Sequence, residues 1–122
     1  MCGPMSSNPI VAKSMAFALR IIKLCRYLND EHKEFTLSRE LLIAGTNIGK
    51  HVVTAVSGES PEAFTLSMAK GLARADETEY WLRLVHFAEL INQREFDSIE
   101  ADCKELAMML TKIVKTSKEN RL

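Results

Sequence analysis

The sequence of 122 residues contains few helix-breaking residues, with three prolines and five glycines. It has no run of the roughly 18 to 20 apolar residues that a membrane-spanning helix needs. Its first residues, MCGPMSSNP, lack the basic segment and apolar core of a secretion signal. The three cysteines form no CxxC pair. We therefore expect a helical protein with reduced thiols, located in the cytoplasm and without a membrane partner.

Net charge is absent as well. The 16 basic residues balance the 16 acidic ones, so the chain as a whole has no attraction to nucleic acid or to a membrane surface. Apolar residues make up 47% of the sequence, which is ordinary for a soluble globular protein. The length is sufficient for one domain with a substantial core and too short for two domains of ordinary size.

Start and stop signals divide the chain into four predicted helices. A capping side chain followed by proline occurs at Asn8-Pro9 and again at Ser60-Pro61, and proline at the first helical position costs no hydrogen bond. Thr36 is predicted to cap the second helix, which stops near Gly58. The predicted helices extend from Pro9 to about Leu28, from Thr36 to about Ser57, from Pro61 to about Asn92, and from a start between Glu95 and Ser98 to about Ser117.

Short connections between long helices favour an all-α fold, an up-down antiparallel four-helix bundle. We predict a disordered or extended N-terminal tail over residues 1–7, the bundle over residues 8–118 and a C-terminal tail over residues 119–122. In the fourth helix the expected core positions alternate steps of three and four residues, as in a bundle seam. They are Phe96, Ile99, Cys103, Leu106, Leu110 and Ile113.

The first two helices carry more apolar surface than one core requires. Apolar side chains of the first helix, from Val11 to Leu28, spread over roughly 180° at about 100° per residue. A helix that faces only its own core needs an apolar arc of about 100°. In the second helix one apolar strip contains Leu41 and Ile48, and a second strip lies beside it, formed by Gly45, Val56, Gly49, Leu42 and Val53. We therefore expect a second surface that meets another subunit.

The stretch GTNIGKH, Gly45 to His51, has the outline of a phosphate-binding loop but not its requirements. Such a loop needs G-x-x-x-x-G-K-[ST] between a strand and a helix. Here three residues separate Gly45 from Gly49, and Lys50 is followed by His51 instead of a hydroxyl. Glycine inside a helix costs roughly 0.5–1 kcal/mol relative to alanine. We therefore interpret both glycines as positions of close helix packing.

No residue pattern predicts a metal, a cofactor or a catalytic site. A di-iron site in a bundle requires Glu-x-x-His, and none of the three histidines follows a glutamate at that spacing. Glu77 borders an apolar face that includes Tyr80 and Trp81. A partly buried glutamate needs a hydrogen-bonded partner, such as the counterpart of Tyr80 on another helix, an arginine or Asn47. We favour a structural role for Glu77 over a catalytic one and expect neither enzymatic activity nor a small-molecule substrate.

Positive charge is concentrated near both ends of the chain. Two groups of basic residues carry it: Lys13, Arg20, Lys23 and Arg26 in the first helix, and Lys112, Lys115 and Lys118 in the fourth. Helices one and four are commonly neighbours in an up-down bundle, so these groups could share a surface that contacts RNA or DNA. The alternative is that they are solvated helix faces, with lysines favourably placed at a helix C-terminus.

Three segments resemble a known family. They are ARADETEYWLRLV (73–85), AGTNIG (44–49) and LTKIVKTSK (110–118). Together they are similar to the bacterial four-helix-bundle proteins encoded within intervening sequences of 23S ribosomal RNA genes, formerly labelled S23 ribosomal proteins. A related member is the accessory variability determinant of diversity-generating retroelements, which partners a reverse transcriptase. The resemblance covers nearly the whole chain and implies a homopentameric barrel with no known catalytic activity.

The second helix departs from the usual pattern of that family at several positions, namely Ile43, Ala44, Asn47, His51 and Thr54. These departures weaken the transfer of nucleic-acid binding to this chain and leave the expected fold unchanged. We expect a non-catalytic scaffold or adaptor whose partner is a further copy of itself, in a pentamer. The alternative is low-specificity binding of RNA or DNA, or of a nucleic-acid-handling protein, through basic faces of the oligomer.

Overall fold

Four helices form the part of the chain that the computed structural model describes, residues 8–120. Helix α1 spans Pro9–His32, α2 spans Thr36–Val56, α3 spans Pro61–Phe87 and α4 spans Gln93–Asn120. This described part contains no strand, so the all-α prediction is confirmed there. The predicted tail over residues 1–7 lies outside the described residues, as do residues 121 and 122. Residues 119 and 120, predicted as part of a C-terminal tail, belong to α4.

Both cap-and-proline signals start helices where the sequence predicts. The Asn8 side chain accepts a hydrogen bond from the Ile10 N–H at 3.1 Å, and the Ser60 hydroxyl accepts one from the Ala63 N–H at 3.0 Å. Each cap satisfies one of the free N–H groups of the first turn. The predicted starts of α1 and α3 are therefore correct.

The predicted cap of α2 is wrong. Thr36 is the first helical residue, and the Glu34 carboxylate supplies the cap instead. Glu34 Oε2 accepts hydrogen bonds from the N–H groups of Thr36 at 3.1 Å and Leu37 at 2.9 Å. A carboxylate also interacts favourably with the positive end of the helix dipole, which a threonine hydroxyl does only weakly.

Two helix ends differ from their predicted positions because non-glycine residues terminate them. Helix α1 continues past Leu28 to His32, and Lys33 then adopts a left-handed conformation with φ of 53°. Helix α3 ends at Phe87 instead of near Asn92, with Glu89 at φ 63°. Glycine is the usual residue at such a position, so the sequence does not mark either stop.

The helices pack in chain order as an up-down-up-down bundle. Consecutive helices pack along their lengths, and α1 also packs against α4 through a smaller contact. Two ion pairs cross this last seam, Lys13–Glu105 at 2.8 Å and Arg20–Asp102 at 2.6 Å. From the first pair to the second, the residue number rises on α1 and falls on α4, so the two helices are antiparallel.

One hydrophobic core runs between the four helices. Its fully enclosed side chains include Ile21 and Leu28 of α1, Ile48 of α2 and Leu82 of α3. The predicted seam of α4 is buried except at its last position, where Val114 takes the core place predicted for Ile113. Among residues 8–120, no helix combines the length and apolar character needed to cross a membrane.

Candidate interaction surfaces

Helices α1 and α2 approach each other closely at the two glycines of α2. A β-carbon built at Gly45 would lie only 2.8 Å from Cγ1 and 2.9 Å from Cγ2 of Ile21, which is fully buried. At Gly49 the nearest atom would be the Ser14 hydroxyl oxygen at 3.4 Å, an ordinary contact. Both glycines lie inside a continuous helix. The structure therefore places both glycines where α2 faces α1 of the same chain, with the tight approach at Gly45.

A mainly apolar groove of about 410 Å³ lies on the outer side of this seam. We call it the α1/α2 groove; its lining is Val11, Ser14, Met15 and Ala18 from α1, and Thr46, Gly49, Lys50, Val53 and Thr54 from α2. Met15 is 56% exposed, and Leu19, one turn further along α1, is equally exposed. The second apolar strip of α2 thus packs against α1 on its inner side and borders an open apolar groove on its outer side.

A second apolar surface follows the outward side of α3. Leu66, Ala73, Tyr80 and Phe87 recur at seven-residue intervals and are all exposed; we call them the α3 stripe. Tyr80 is 56% exposed and Phe87 is 72% exposed. Sequence reasoning missed this stripe because apolar residues occur around the whole circumference of α3, so that no single face stands out. The seven-residue spacing is the signal that could have revealed it.

The three residues predicted to matter for packing on α3 have different environments. Glu77 is paired with Arg74, one turn earlier, at 2.7 Å, so its predicted hydrogen-bonded partner is an arginine of its own helix. Tyr80 contacts the edge of Trp81 with ring centroids 5.0 Å apart. Trp81 packs against the core, and its buried Nε1 has no hydrogen-bond partner among the described residues.

The basic residues of α1 divide into paired and unpaired groups. Lys13 and Arg20 face α4, where Glu105 and Asp102 neutralise them, and Arg20 also donates to the Ser98 hydroxyl at 3.0 Å. Lys23 and Arg26 are exposed, and neither forms an ion pair within the described residues. Two of these four basic residues are therefore neutralised on the seam between α1 and α4, and Lys23 lines a groove on the same seam beside Arg94 and Glu95.

The lysines near the end of α4 lie apart from the free basic residues of α1. Lys112, Lys115 and Lys118 are exposed. Because α4 runs antiparallel to α1 and Arg20 lies opposite Asp102, Lys112 is ten residues further along α4, about 15 Å away at 1.5 Å per residue. Helices one and four are neighbours as predicted, but the antiparallel packing places their two basic groups at different levels of the bundle.

The two described cysteines are buried free thiols within the core. Burial raises the pKa of Cys25 to about 11. Burial is also the largest cause that raises the pKa of Cys103 to about 12, and nearby acidic side chains add to it. The thiolate is the nucleophilic form, so neither side chain is suited to covalent catalysis. The described residues contain no group of three or more His, Cys, Asp or Glu side chains arranged to hold a metal ion.

Comparison with known proteins supplies a family and a solved structure. The family described as 23S rRNA-intervening sequence protein matches residues 6–112. The chain is also similar to a solved structure from Bacteroides thetaiotaomicron, a protein of unknown function from the S23 ribosomal protein family. The two share 37% identity over 87% of this chain and 98% of that one, with a TM-score of 0.86. No functionally curated protein matches the chain.

Proposed function

The chain belongs to the 23S rRNA-intervening sequence protein family, and we propose that it is a non-catalytic cytoplasmic adaptor that assembles with copies of itself into a closed ring. In this proposal the α1/α2 groove of one copy receives the α3 stripe of the next. We propose five copies per ring, in line with the pentamer that the family resemblance implies. The assembled ring presents a repeated surface to its partner.

The observation that carries the proposal is the presence of two separate apolar surfaces on one small bundle. Met15 and Leu19 are each 56% exposed beside the groove, and Leu66 and Phe87 of the stripe are 58% and 72% exposed. Exposed apolar patches mark protein–protein interaction sites when they are large and rimmed by polar residues. Helices α1 and α3 lie diagonally opposite each other in the four-helix bundle. Two unlike faces that pair head-to-tail generate a ring when the rotation between copies closes.

Charge favours the same pairing. Helices α1 and α2 together carry six basic and three acidic residues, whereas α3 and α4 carry eight basic and ten acidic residues. The half of the bundle with the groove is therefore net positive and the half with the stripe net negative. Contact between unlike halves brings opposite charges together, whereas contact between like halves brings like charges together and is disfavoured. A second copy of this chain thus matches the groove in apolar character, and the ion pairs of Lys13 and Arg20 with α4 already neutralise part of the charge difference within each chain.

The environments of several carboxylates and thiols support the non-catalytic part of the proposal. The carboxylate of Glu77 is occupied by Arg74, and that of Glu95 closes a capping box with the N–H of Asn92 at 2.9 Å. The buried thiols of Cys25 and Cys103 have raised pKa values, so each stays protonated at neutral pH. A turnover screen with added metals and nucleotides tests this part, and reproducible activity would contradict it.

The assembly is tested by light scattering coupled to gel filtration on three variants. The wild type should have the mass of about five chains of 13.7 kDa. Met15→Lys damages the groove and Tyr80→Lys damages the stripe, so each variant alone should be monomeric. Met108→Lys is the matched control because Met108 is 72% exposed on α4, away from both surfaces. It should assemble like the wild type.

Mixing the two defective variants distinguishes head-to-tail pairing from symmetric pairing. A Met15→Lys chain keeps its stripe and a Tyr80→Lys chain keeps its groove, so an equimolar mixture should form a dimer with one good contact and grow no further. Symmetric pairing of groove with groove predicts no such mixed dimer. A wild-type monomer at micromolar concentration would refute self-association altogether.

A second candidate function is low-specificity binding of RNA or DNA. It is favoured by the exposed and unpaired Lys23 and Arg26, together with the exposed lysines of α4. A ring would repeat these charges once per subunit, and electrostatic affinity grows with the number of phosphates neutralised. Ion pairs with α4 remove Lys13 and Arg20 from that set in the single chain.

A further inference from the structure

The start of α3 and the end of α4 form a groove of about 780 Å³. Within residues 8–120 its lining comes from these two helices alone and includes Pro61 and Phe64 of α3 and Ile113, Thr116 and Asn120 of α4; we call it the α3/α4 end groove. Phe64 and Ile113 are half-buried and pack against the edge of the core. The groove is therefore the open end of the hydrophobic core.

Helix α1 starts about two turns or more short of the end of α4. The ion pairs that Lys13 and Arg20 form with α4 place Pro9, the first residue of α1, level with residues 109 to 113 of α4. From there α4 continues for at least seven residues to Asn120, which is about 10 Å at 1.5 Å per residue. Helix α1 therefore leaves the last turns of α4 uncovered.

The α3/α4 end groove lies on the side of α4 that faces α1 elsewhere in the bundle. Asp102 and Glu105 mark that side, because they form the ion pairs with α1. Lys112, which also lines the groove, follows Glu105 by seven residues, and Ile113 follows Asp102 by eleven. At about 3.6 residues per turn, both spacings return to nearly the same side of the helix. The groove thus continues the place that α1 occupies in the bundle.

The chain segment that precedes α1 joins the bundle at this same end. Asn8, the cap of α1, has an extended backbone with φ of −83° and ψ of 117°. Residues 1–7, with the sequence MCGPMSS, come before it. Seven extended residues span up to about 23 Å, which exceeds both the uncovered length of α4 and the roughly 8–10 Å between the axes of packed helices. The segment is therefore long enough to reach the groove and to follow it.

The composition of residues 1–7 suits an apolar groove. The segment has no charged side chain, and Met1, Cys2 and Met5 are apolar. Methionine is unbranched and adapts to irregular apolar gaps. Pro4 has a fixed φ and biases Gly3 towards an extended backbone, which reduces the conformational entropy that is lost when the segment becomes ordered. Because it belongs to the same chain, the segment also has a high effective concentration at the groove.

We propose that residues 1–7 bind in the α3/α4 end groove of their own chain, with Met5 packed against Phe64 and Ile113. Met5 precedes Asn8 by three residues, a reach of about 10 Å that matches the spacing of two packed helices. The segment extends the bundle where α1 is too short and completes the burial of Ile113. The groove is separate from the α1/α2 groove, so this contact does not depend on ring assembly.

The first experiment is NMR of the full chain with labelled methyl groups. Nuclear Overhauser cross-peaks should join the Met5 methyl group to the side chains of Phe64 and Ile113. Met5→Asp places a charge in the groove, so it should shift the Ile113 methyl signal and lower the melting temperature by a few degrees. Ser6→Asp is the matched control, because it adds the same charge at the neighbouring residue; it should leave both unchanged. The signal of Ile91, at the opposite end of the bundle, should stay the same in both variants.

The second experiment identifies which chain supplies the segment. In a mixture of isotope-labelled and unlabelled chains, filtered spectra separate contacts within one chain from contacts between two chains. The Met5 cross-peaks should arise within one chain. Cross-peaks that arise only between chains would mean that a second copy fills the groove, and they would overturn the proposal.

The proposal is also overturned if Met5 has no cross-peak to Phe64 or Ile113, or if Met5→Asp and Ser6→Asp have equal effects on the Ile113 signal and on the melting temperature. Light scattering of the same samples reports assembly separately. A ring in which Met5 makes neither contact would refute the binding of the segment and leave the proposed function standing. A monomer with both contacts would do the opposite.

Discussion

At Gly45 a β-carbon of any other residue would enter the space of Ile21, a buried side chain that is stiff because it branches at Cβ. At Gly49, only one turn away, the same atom would make an ordinary contact with Ser14. The sequence treats these two glycines alike, since both belong to the same apolar strip. The partner side chain on α1 makes them different.

The two glycines should therefore respond differently to alanine. Gly45→Ala gains helix propensity of about 1 kcal/mol but forces Ile21 to move, with an overpacking cost of about 1–3 kcal/mol, so we expect a net loss of about 1 kcal/mol or more. Gly49→Ala should be neutral or slightly stabilising. Urea unfolding of both variants at an unchanged m-value measures the difference. If Gly45→Ala is as stable as Gly49→Ala, the close approach to Ile21 does not constrain the helix pair.

At the scale of the element, capping residues that are recognisable in the sequence determine where helices start, but no such residues mark where they end. Asn8, Ser60 and the pair Asn92–Glu95 cap their helices by hydrogen bonds within three residues. The ends of α1 and α3 instead depend on Lys33 and Glu89, which adopt a conformation that glycine adopts with less strain.

Glu89→Gly should stabilise the protein. At φ 63° the side chain of Glu89 is strained, and its charge lies beside the negative end of the α3 dipole. We expect a gain of about 1 kcal/mol in the free energy of unfolding, measured by urea denaturation. Glu89→Ala is the matched control, because it removes the charge and keeps the β-carbon. It should gain only a few tenths of a kcal/mol. Equal gains from both variants would mean that backbone strain at this position is negligible.

At the scale of the whole molecule, zero net charge conceals an uneven distribution. The half formed by α1 and α2 is net positive, and the half formed by α3 and α4 is net negative. Cross-helix ion pairs neutralise Lys13 and Arg20 on one seam and Arg83 and Lys104 on another. The remaining exposed cations determine how the molecule meets a polyanion, because only unpaired charges release counterions efficiently.

Any binding of duplex RNA or DNA should fall steeply with salt. Lys23→Gln combined with Arg26→Gln should reduce the slope of log affinity against log salt by roughly one to two, since each neutralised phosphate contributes about 0.9. Lys104→Gln should leave the slope unchanged because Lys104 is already near two carboxylates. Fluorescence anisotropy between about 50 and 200 mM salt measures both. Absence of binding at about 50 mM salt would favour an adaptor that contacts protein alone.

The sequence by itself determined the fold class, the number of helices and most of the core. Periodicity and caps are local properties of the chain, and residues such as Leu106 and Leu110 occupy the buried face at helical spacing without reference to any other helix. The excess apolar surface of α1 and α2 could also be predicted, because the width of an apolar arc follows from the sequence of one helix.

Only the tertiary structure decided which charged side chains lack an ion-pair partner and where the two apolar surfaces lie. Arg20 and Lys23 are equivalent in sequence, yet the packing of α4 pairs Arg20 with Asp102 and leaves Lys23 without an ion pair among the described residues. Such relations depend on helix rotation and register. Those follow from the packing of the whole core and are not encoded in any single segment.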